Sequence, residues 1–207
     1  LEKEGITNGK HIVGNTIVDA CKKYRGIAQE KSRILERLGF KDKKYVISTI
    51  HRAENVDDTQ KLMKILHALS IINYPVILPM HPRIKNKMSN FGYKFPENII
   101  AIDPVGYYDM LKLLKNAVFV ATDSGGVQEE AITLKVPCLT LRETTERWET
   151  ISIGSNFLVG SDPLLISYHA KMIVDTDLKS KIEKMSNPYG DGRTSEKIIE
   201  ILSELNK

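Results

Sequence analysis

The residues of this chain that are best suited to chemistry lie in four polar clusters, and each cluster directly follows an apolar segment. The first cluster begins with His51 and Arg52, the second with His81, the third contains Ser124, and the fourth begins with Arg142. Imidazole, guanidinium and hydroxyl groups are donors that suit an anionic ligand, above all a phosphate. The four clusters therefore predict a binding site, in which His51 and Arg52 could place two donors at a phosphate.

The segment Ser124-Gly125-Gly126 is chemically the most informative. Two glycines at the beginning of a helix let the backbone approach a ligand closely and leave amide groups pointing outward, where the helix dipole favours a phosphate. Ser124 can add a hydroxyl donor, and Glu130, about a turn and a half further on, could accept hydrogen bonds from a sugar diol. The alternative interpretation is an ordinary loop in which Asp123 or Ser124 caps the helix.

The histidines also have a structural interpretation. A single histidine is often a satisfied structural residue, and Pro82 after His81 could simply end a strand. No spacing of His, Cys, Asp and Glu matches a metal site, so we predict no bound metal. The sequence contains neither the nucleophile elbow of serine hydrolases nor a P-loop, which argues against both classes of enzyme.

Composition excludes several broad classes of protein. The chain has 207 residues, of which 42% are hydrophobic and 27% charged, enough for a full core rather than a disordered chain. No apolar run approaches the roughly 18 to 20 residues that cross a bilayer, so no membrane partner is expected. The net charge is +4, and the basic stretch 22–44 contains no nucleic-acid motif, so no nucleic-acid partner is expected. Two cysteines without CxxC spacing fit a reducing, cytoplasmic setting.

Apolar strands and amphipathic helices must position the four clusters. Helical periodicity covers residues 17–38, with Gly39 as its stop, and Asp57 or Asp58 can cap the next helix. Strands are predicted at 45–50, 76–80, 98–102, 117–122, 137–141 and 157–159, and further helices at 107–114, 125–134, 163–174, 176–185 and 194–205. This alternation predicts an α/β fold: a Rossmann-like parallel sheet of about six strands with helices on both faces. Ligands of such sheets bind at the carboxyl ends of the strands, where the clusters fall.

Six motifs occur in order along the chain: His51-Arg-Ala-Glu-Asn55, His81-Pro-Arg83, Asp123-Ser-Gly-Gly-Val-Gln-Glu-Glu130, Leu141-Arg-Glu-Thr-Thr-Glu-Arg147, Gly154-Ser-Asn-Phe-Leu-Val-Gly160 and Asn187-Pro-Tyr-Gly-Asp-Gly192. In this combination they closely resemble the C-terminal half of the non-hydrolysing UDP-N-acetylglucosamine 2-epimerases. The resemblance covers essentially the whole chain, and the opening segment 12–19 is similar to the link between that family's two domains. Ala53 and Trp148 depart from the pattern of many bacterial members, where a second Arg and a Pro are common.

The resemblance implies the C-terminal half of a GT-B-type fold, with residues 1–207 forming a single Rossmann-like UDP-binding domain. Residues 1–40 would be the interdomain segment and first helix, and residues 193–207 the terminal helix. The family's N-terminal domain would be absent, because a whole member needs about one more domain before Leu1. The chain also lacks an initiating Met, so we expect a fragment or a processed chain.

The resemblance further implies the role of each site residue. His51 would be the catalytic residue, because it would contact the diphosphate and stabilise the leaving UDP. Seven residues would bind substrate: Ser124, Gly125, Gly126, Glu130, Arg52, His81 and Arg142. Within this set, Ser124 and the two glycines would hold the diphosphate and Glu130 the ribose hydroxyls, whereas Arg52 and His81 are similar to residues near an activating UDP-GlcNAc in some bacterial members.

The family reaction interconverts UDP-GlcNAc and UDP-ManNAc. UDP is eliminated to give a 2-acetamidoglucal intermediate and then adds back to the opposite face, and no cofactor is expected. The acidic candidates for the base at sugar C2 lie in the family's first domain, so this chain is expected to bind UDP but to lack full activity. A homodimer is a further expectation from the resemblance.

Three alternative functions stay open at this point: a hydrolysing epimerase that releases free ManNAc, a GT-B glycosyltransferase, and a non-catalytic UDP-sugar-binding module. The first two would bind UDP through similar strand-end clusters, so the fold cannot discriminate them. Product analysis separates the first from an epimerase. The third would require that a polypeptide of about 23 kDa is the complete native chain.

Overall fold

Strands and helices alternate in the computed structural model, which describes residues 4–41 and 44–205. The strands are β1 (Val46–Thr49), β2 (Val76–Pro79), β3 (Ile99–Ile102), β4 (Val120–Thr122), β5 (Cys138–Thr140) and β6 (Asn156–Leu158). The helices are α1 (Thr16–Lys31), α2 (Ile34–Leu38), α3 (Ala53–Val56), α4 (Thr59–Ser70), α5 (Pro82–Asn90), α6 (Tyr107–Asn116), α7 (Gly125–Leu134), α8 (Trp148–Ser152), α9 (Pro163–Asp175), α10 (Leu178–Glu183) and α11 (Thr194–Leu205).

The six strands form one sheet in the order β3-β2-β1-β4-β5-β6, and every neighbouring pair is parallel. The predicted Rossmann-like parallel sheet is therefore confirmed. The chain winds outward from β1 to β3 on one side and from β4 to β6 on the other. Between β1 and β4 the direction of winding reverses, and in doubly wound sheets the crevice that binds ligands lies at the carboxyl edge of the sheet at this point.

Alternating side chains of the strands build a separate hydrophobic core on each face of the sheet. Val46 of β1 belongs to the core that α4, α5 and α9 cover, whereas Ile47 belongs to the core that α1, α6 and α7 cover. This is the period-two alternation of a strand that is buried on both sides. Helices therefore lie on both faces, as predicted, and the rigid sheet holds the strand ends in a fixed relation to one another.

The structure departs from the prediction at two places, the break between α1 and α2 and the helix that begins at Pro82. The helix predicted over 17–38 is two helices, α1 and α2, because the Ser32 hydroxyl donates to Asp109 of α6 and accepts from the Ile34 amide. Pro82 does not merely end a strand. It is the first residue of α5, where its fixed φ and missing N–H are tolerated, and His81 caps that helix.

Several boundaries are confirmed. Gly39 ends α2 with φ 72°, a conformation that favours glycine. Of the two candidate caps, Asp58 is the one that begins α4, since its carboxylate accepts from the Lys61 amide. Both cysteines are free and buried. Within the part of the chain that the structure describes, no helix is long and apolar enough to cross a membrane.

Candidate active site

The predicted site residues converge on the crevice between β1 and β4. His51 and Arg52 follow β1, and Ser124 follows β4. The last residues of the two strands are themselves joined, because the hydroxyl oxygens of Thr49 and Thr122 lie 2.6 Å apart. The sheet thus places the first and third polar clusters side by side at its carboxyl edge.

Asp123 is the residue that holds these two clusters together. Its carboxylate is fully buried and accepts backbone N–H groups of His51 at 3.1 Å and Arg52 at 3.0 Å. The Asn55 amide also donates to it at 3.1 Å. The Arg52 side chain also donates from Nε to the Asp123 backbone carbonyl at 3.1 Å. A single carboxylate therefore fixes the backbone of the loop that follows β1.

The same carboxylate orients the His51 ring. His51 Nδ1 lies 3.0 Å from Asp123 Oδ1. Burial alone would raise the pKa of Asp123, but the hydrogen bonds from His51 and Arg52 outweigh it and hold that pKa below its usual value. Because an ionised carboxylate can only accept, Nδ1 must carry the proton, and Nε2 is left for a ligand.

His51 and His81 form one wall of a small cleft at the same edge. The two rings are tilted with their centroids 5.8 Å apart. His81 Nδ1 accepts from the Arg83 amide at 3.2 Å. The capping bond therefore uses Nδ1 of His81 and does not involve Nε2. The cleft has a volume of about 170 Å³, and its remaining walls are mostly apolar: Thr49, Ile50, Pro79, Met80, Pro104, Val105 and Met110.

Ser124 caps α7, and Gly125 and Gly126 form the first turn of that helix. The Ser124 hydroxyl accepts from the Val127 amide at 3.5 Å, a long contact. The capping role that sequence reasoning weighed as an alternative is therefore present. It does not exclude a ligand, because the first amides of a helix have no partner within the helix and the positive end of its dipole points into the crevice.

Glu130 lies on α7 one turn after Gly126, near Cys21 of α1 and Tyr107 of α6. Burial raises the pKa of Glu130 to about 7, a hydrogen bond with Tyr107 opposes the shift, and Glu129 adds to it. Burial raises the pKa of the Tyr107 hydroxyl as well. Glu130 and Tyr107 therefore form a partly desolvated polar pair beside the crevice.

Arg142 and the segment that follows β5 complete the edge. The Arg142 side chain is 6% exposed and is held by Glu146, through two hydrogen bonds of 3.0 and 3.2 Å, and by Glu54 at 3.1 Å. The bond from Arg142 lowers the pKa of Glu146 to about 2. The guanidinium thus ties the fourth cluster to the helix that follows the first cluster.

A buried polar network supports the segment 141–147 from behind. The Gln128 amide oxygen accepts from Thr145 at 2.8 Å and from Asn156 at 3.2 Å. Arg147 pairs with the buried carboxylate of Glu129 at 2.5 Å. A Cβ added to Gly125 would lie 3.2 Å from the Arg147 guanidinium. The glycine therefore lets the arginine pack directly against the beginning of α7.

The structure brings most of the predicted residues together and adds one that sequence reasoning missed. His51, Arg52, His81 and the Ser124 segment lie around one crevice, and Glu130 and Arg142 lie at its sides. Asp123 was proposed only as a helix cap, although its position directly after a buried strand was an available signal. Among residues 4–41 and 44–205, no group of three or more His, Cys, Asp or Glu side chains is arranged to hold a metal ion.

Comparison with known proteins is consistent with this geometry. Residues 1–203 match the family model described as UDP-N-acetylglucosamine 2-epimerase. A UDP-N-acetylglucosamine 2-epimerase of Methanococcus maripaludis is 44% identical over 97% of this chain and 56% of its own length. A UDP-2,3-diacetamido-2,3-dideoxy-D-glucuronate 2-epimerase of Pseudomonas aeruginosa is 40% identical over 78% of this chain and 45% of its own length.

The fold is likewise shared with solved structures. The crystal structure of the Methanocaldococcus jannaschii UDP-GlcNAc 2-epimerase in complex with UDP-GlcNAc and UDP superposes with a TM-score of 0.87 and 38% sequence identity. The match covers 98% of this chain and 57% of that chain. This chain thus spans a little over half the length of the proteins it matches, and its sheet corresponds to the C-terminal half of a GT-B-type fold.

Proposed function

The chain belongs to the UDP-N-acetylglucosamine 2-epimerase family, and from this we propose that it is the UDP-binding half of an enzyme that interconverts UDP-GlcNAc and UDP-ManNAc. The observation that carries the proposal is the meeting of the Asp123–His51 pair with the beginning of α7. Both sets of donors point into one crevice, at the switch point of a doubly wound sheet.

We assign the diphosphate to the beginning of α7. The amides of Gly125 and Gly126 and the Ser124 hydroxyl can surround phosphate oxygens, and the helix dipole adds a favourable field. Neither glycine has a side chain to hold the ligand away. The small cleft between His51 and Met110 then suits a flat, mostly apolar group attached to the diphosphate, and we assign the uracil base to it.

The proposed reaction begins with elimination. A base removes the proton at sugar C2, the C1–O bond breaks, a C1–C2 double bond forms, and the oxygen of the β-phosphate leaves with the electron pair. Re-addition of UDP to the double bond, with protonation of C2 from the opposite face, completes the epimerisation. These steps are redox-neutral and balance without an organic cofactor.

His51 stabilises the charge that develops on the leaving oxygen. Asp123 holds Nδ1 as a donor, so the ring can present a second N–H at Nε2 only as the imidazolium. With a proton on Nε2, the ring donates to the β-phosphate oxygen as the C1–O bond breaks. Asp123 acts through His51 and is a positioning residue.

The base at sugar C2 is assigned to the part of the family's length that this chain does not match. This chain covers 56% of the Methanococcus maripaludis relative. A sugar held only by the crevice would remain open to water on its other side, and closure of a second domain excludes that water. We therefore propose that residues 1–207 bind UDP but show little or no turnover by themselves.

Product analysis by NMR on the longest native polypeptide that contains this chain tests the proposal. Formation of UDP-ManNAc from UDP-GlcNAc, with no free sugar, is the expected result. Free ManNAc together with UDP would instead identify a hydrolysing epimerase. The absence of turnover in a polypeptide that binds UDP would favour a binding module.

The identity of the sugar is a separate question, because the relative from Pseudomonas aeruginosa is a UDP-2,3-diacetamido-2,3-dideoxy-D-glucuronate 2-epimerase with 40% identity. Both substrates carry an acetamido group at C2 and the same nucleotide, so the crevice described above would serve either. Parallel assays with the two nucleotide sugars discriminate them. We expect preference for UDP-GlcNAc, since the matches to such epimerases cover more of this chain.

A further inference from the structure

A second cavity lies at the opposite end of α7 from the crevice. α7 begins beside Ser124 and ends at Leu134, a rise of about 15 Å. The second cavity has a volume of about 620 Å³ and is walled by α1, the end of α7, the 185–191 loop and α11. That volume is in the range of small-molecule sites, and its wall includes the Asn187–Asp191 part of a motif that the proposed function leaves without a role.

Four cationic side chains line this cavity: Lys22, Arg25, Lys135 and Lys197. Among the described residues that line the cavity, Asp191 supplies the one carboxylate. It accepts from Lys197 at 3.1 Å and from the Arg193 amide at 3.1 Å. The cavity therefore gathers a local charge of about +3. Charges of one sign that are held together without matching carboxylates repel one another, and a bound anion would remove that repulsion.

Two of the ammonium groups are anchored by carbonyl oxygens rather than by carboxylates. Lys22 Nζ donates to the Asp191 carbonyl at 2.7 Å, and Lys135 Nζ donates to the Met185 carbonyl. A carbonyl fixes an ammonium without neutralising it, and each ammonium keeps two further N–H donors. Arg25 makes neither a hydrogen bond nor an ion pair with another residue of the described ranges. Burial, Lys22 and Lys115 together lower the pKa of Lys135.

Lys135 occupies a backbone position at which a side chain is a disadvantage. It follows α7 with φ 62° and ψ 45°, in the left-handed region where helices usually place glycine. Lysine in this conformation destabilises the folded chain relative to glycine. The ammonium of this lysine nevertheless lies in the wall of the cationic cavity.

We propose that the cavity lined by Lys22, Arg25, Lys135 and Lys197 is a second anion site that binds a small phosphate-bearing molecule. Tetrahedral phosphate oxygens match the donors of three ammonium groups and a guanidinium, and a doubly or triply charged group matches the local charge. The site is separate from the small cleft beside His51, because the two cavities share no described lining residue.

Pyrophosphate is the probe for the test, added at constant ionic strength while backbone amide NMR signals are followed. Saturating shifts are expected at residues 133–135 and 185–191. Because pyrophosphate also resembles the diphosphate of UDP, the titration is repeated with Ser124→Ala, which should leave the shifts at 133–135 and 185–191 unchanged. Independence from Ser124 separates this site from the proposed function.

Lys135→Gly is the decisive variant. It relieves the left-handed conformation, so its melting temperature should equal or exceed that of the parent chain, while its affinity for pyrophosphate should fall at least tenfold. Arg25→Gln should weaken binding about fivefold or more. Lys64→Ala, which removes an exposed lysine of α4, is the charge-matched control and should change the affinity less than twofold.

Two results would overturn the proposal. The first is that pyrophosphate causes no saturating shift at 133–135 and 185–191. The second is that Lys135→Gly and Lys64→Ala weaken binding equally, which would mean that the anion responds only to the net charge of the surface.

Discussion

The Asp123–His51 pair defines the chemistry of the crevice at the scale of single residues. The buried carboxylate of Asp123 accepts a hydrogen bond from His51 Nδ1 at 3.0 Å and also accepts from the backbone amides of His51 and Arg52. It therefore sets both the position of the loop and the orientation of the ring. A histidine at a strand end becomes a directed donor only because a second strand supplies this carboxylate.

Asp123→Asn should weaken UDP binding by about the same amount as His51→Ala, roughly five- to tenfold, because the amide loses the negative charge and keeps only one oxygen to accept from the His51 ring and the backbone amides. The two substitutions should not be additive, since both remove one coupled unit. Calorimetric titration of UDP into both single variants and the double variant measures this. Additive losses would show that Asp123 acts without His51.

Glu130 makes the stability of the fold depend on pH. Its pKa is about 7 in the folded chain and its ordinary value is 4.5. Between those values the folded chain keeps a proton that the unfolded chain has lost, so the free energy of unfolding falls as the pH rises through this window. Above pH 7 the penalty is complete, about 2 to 3 kcal/mol after allowance for partial exposure.

Glu130→Gln should therefore raise the melting temperature by roughly 5 °C at pH 8 and leave it nearly unchanged at pH 4.5. The matched control is Glu129→Gln, which breaks the buried pair with Arg147 and should lower the melting temperature at both pH values. Thermal unfolding at the two pH values measures this difference. An equal change of the melting temperature by Glu130→Gln at both pH values would contradict a raised pKa of Glu130 in the folded chain.

At the scale of elements, the contacts around the beginning of α7 show whether packing alone explains its glycines. A Cβ at Gly126 would meet only Ile17 Cδ1 at 3.8 Å and the Ser124 hydroxyl at 4.0 Å, both ordinary contacts. Helices favour alanine over glycine by up to about 1 kcal/mol. Among the residues that the structure describes, no packing contact requires glycine at position 126. We therefore predict that this glycine serves a ligand that approaches the backbone.

Gly126→Ala should keep or raise the melting temperature while weakening UDP binding at least tenfold. Gly26→Ala in α1 is the control, because a Cβ there meets nothing within 4 Å. It should raise the melting temperature by a similar amount and leave UDP binding unchanged. If Gly126→Ala binds UDP as tightly as the parent chain, the diphosphate does not sit on these amides.

The elements also show how far the sequence can be interpreted. Apolar runs that alternate with amphipathic segments were enough to predict all six strands and most helices. A strand that is buried on both faces of the sheet is apolar at successive positions, so it stands out in the sequence. The single-turn helices α3 and α8 have too few residues to show a helical period. The break at Ser32 depends on Asp109, 77 positions away. No local pattern contains that contact.

The sequence indicated candidate residues for the site but not the hydrogen bonds between them. The types and order of the polar clusters indicated His51, Ser124 and the glycines as candidates. Which carboxylate orients His51 depends on the order of strands in the sheet, since β1 and β4 become neighbours although about 70 residues separate them in the sequence. The prediction from sequence therefore stops at the point where strand order is needed.

At the scale of the whole molecule, we propose that the sheet binds UDP at its carboxyl edge and leaves the sugar open on one side. The chain spans a little over half the length of the proteins it matches. UDP itself should bind through contacts on this chain, whereas the sugar should add little. We therefore expect UDP-GlcNAc to bind residues 1–207 no more tightly than UDP does.

Calorimetric titration of UDP into this chain, with His51→Ala and Ser124→Ala beside it, tests the central claim most directly. The account predicts a dissociation constant between micromolar and millimolar, and a loss of about 1 kcal/mol or more for each substitution. Lys64→Ala, which removes an exposed lysine of α4, should bind UDP like the parent chain. If UDP at millimolar concentration releases no heat, or if both crevice variants bind as the parent chain does, the strand-end site is not where this protein holds UDP.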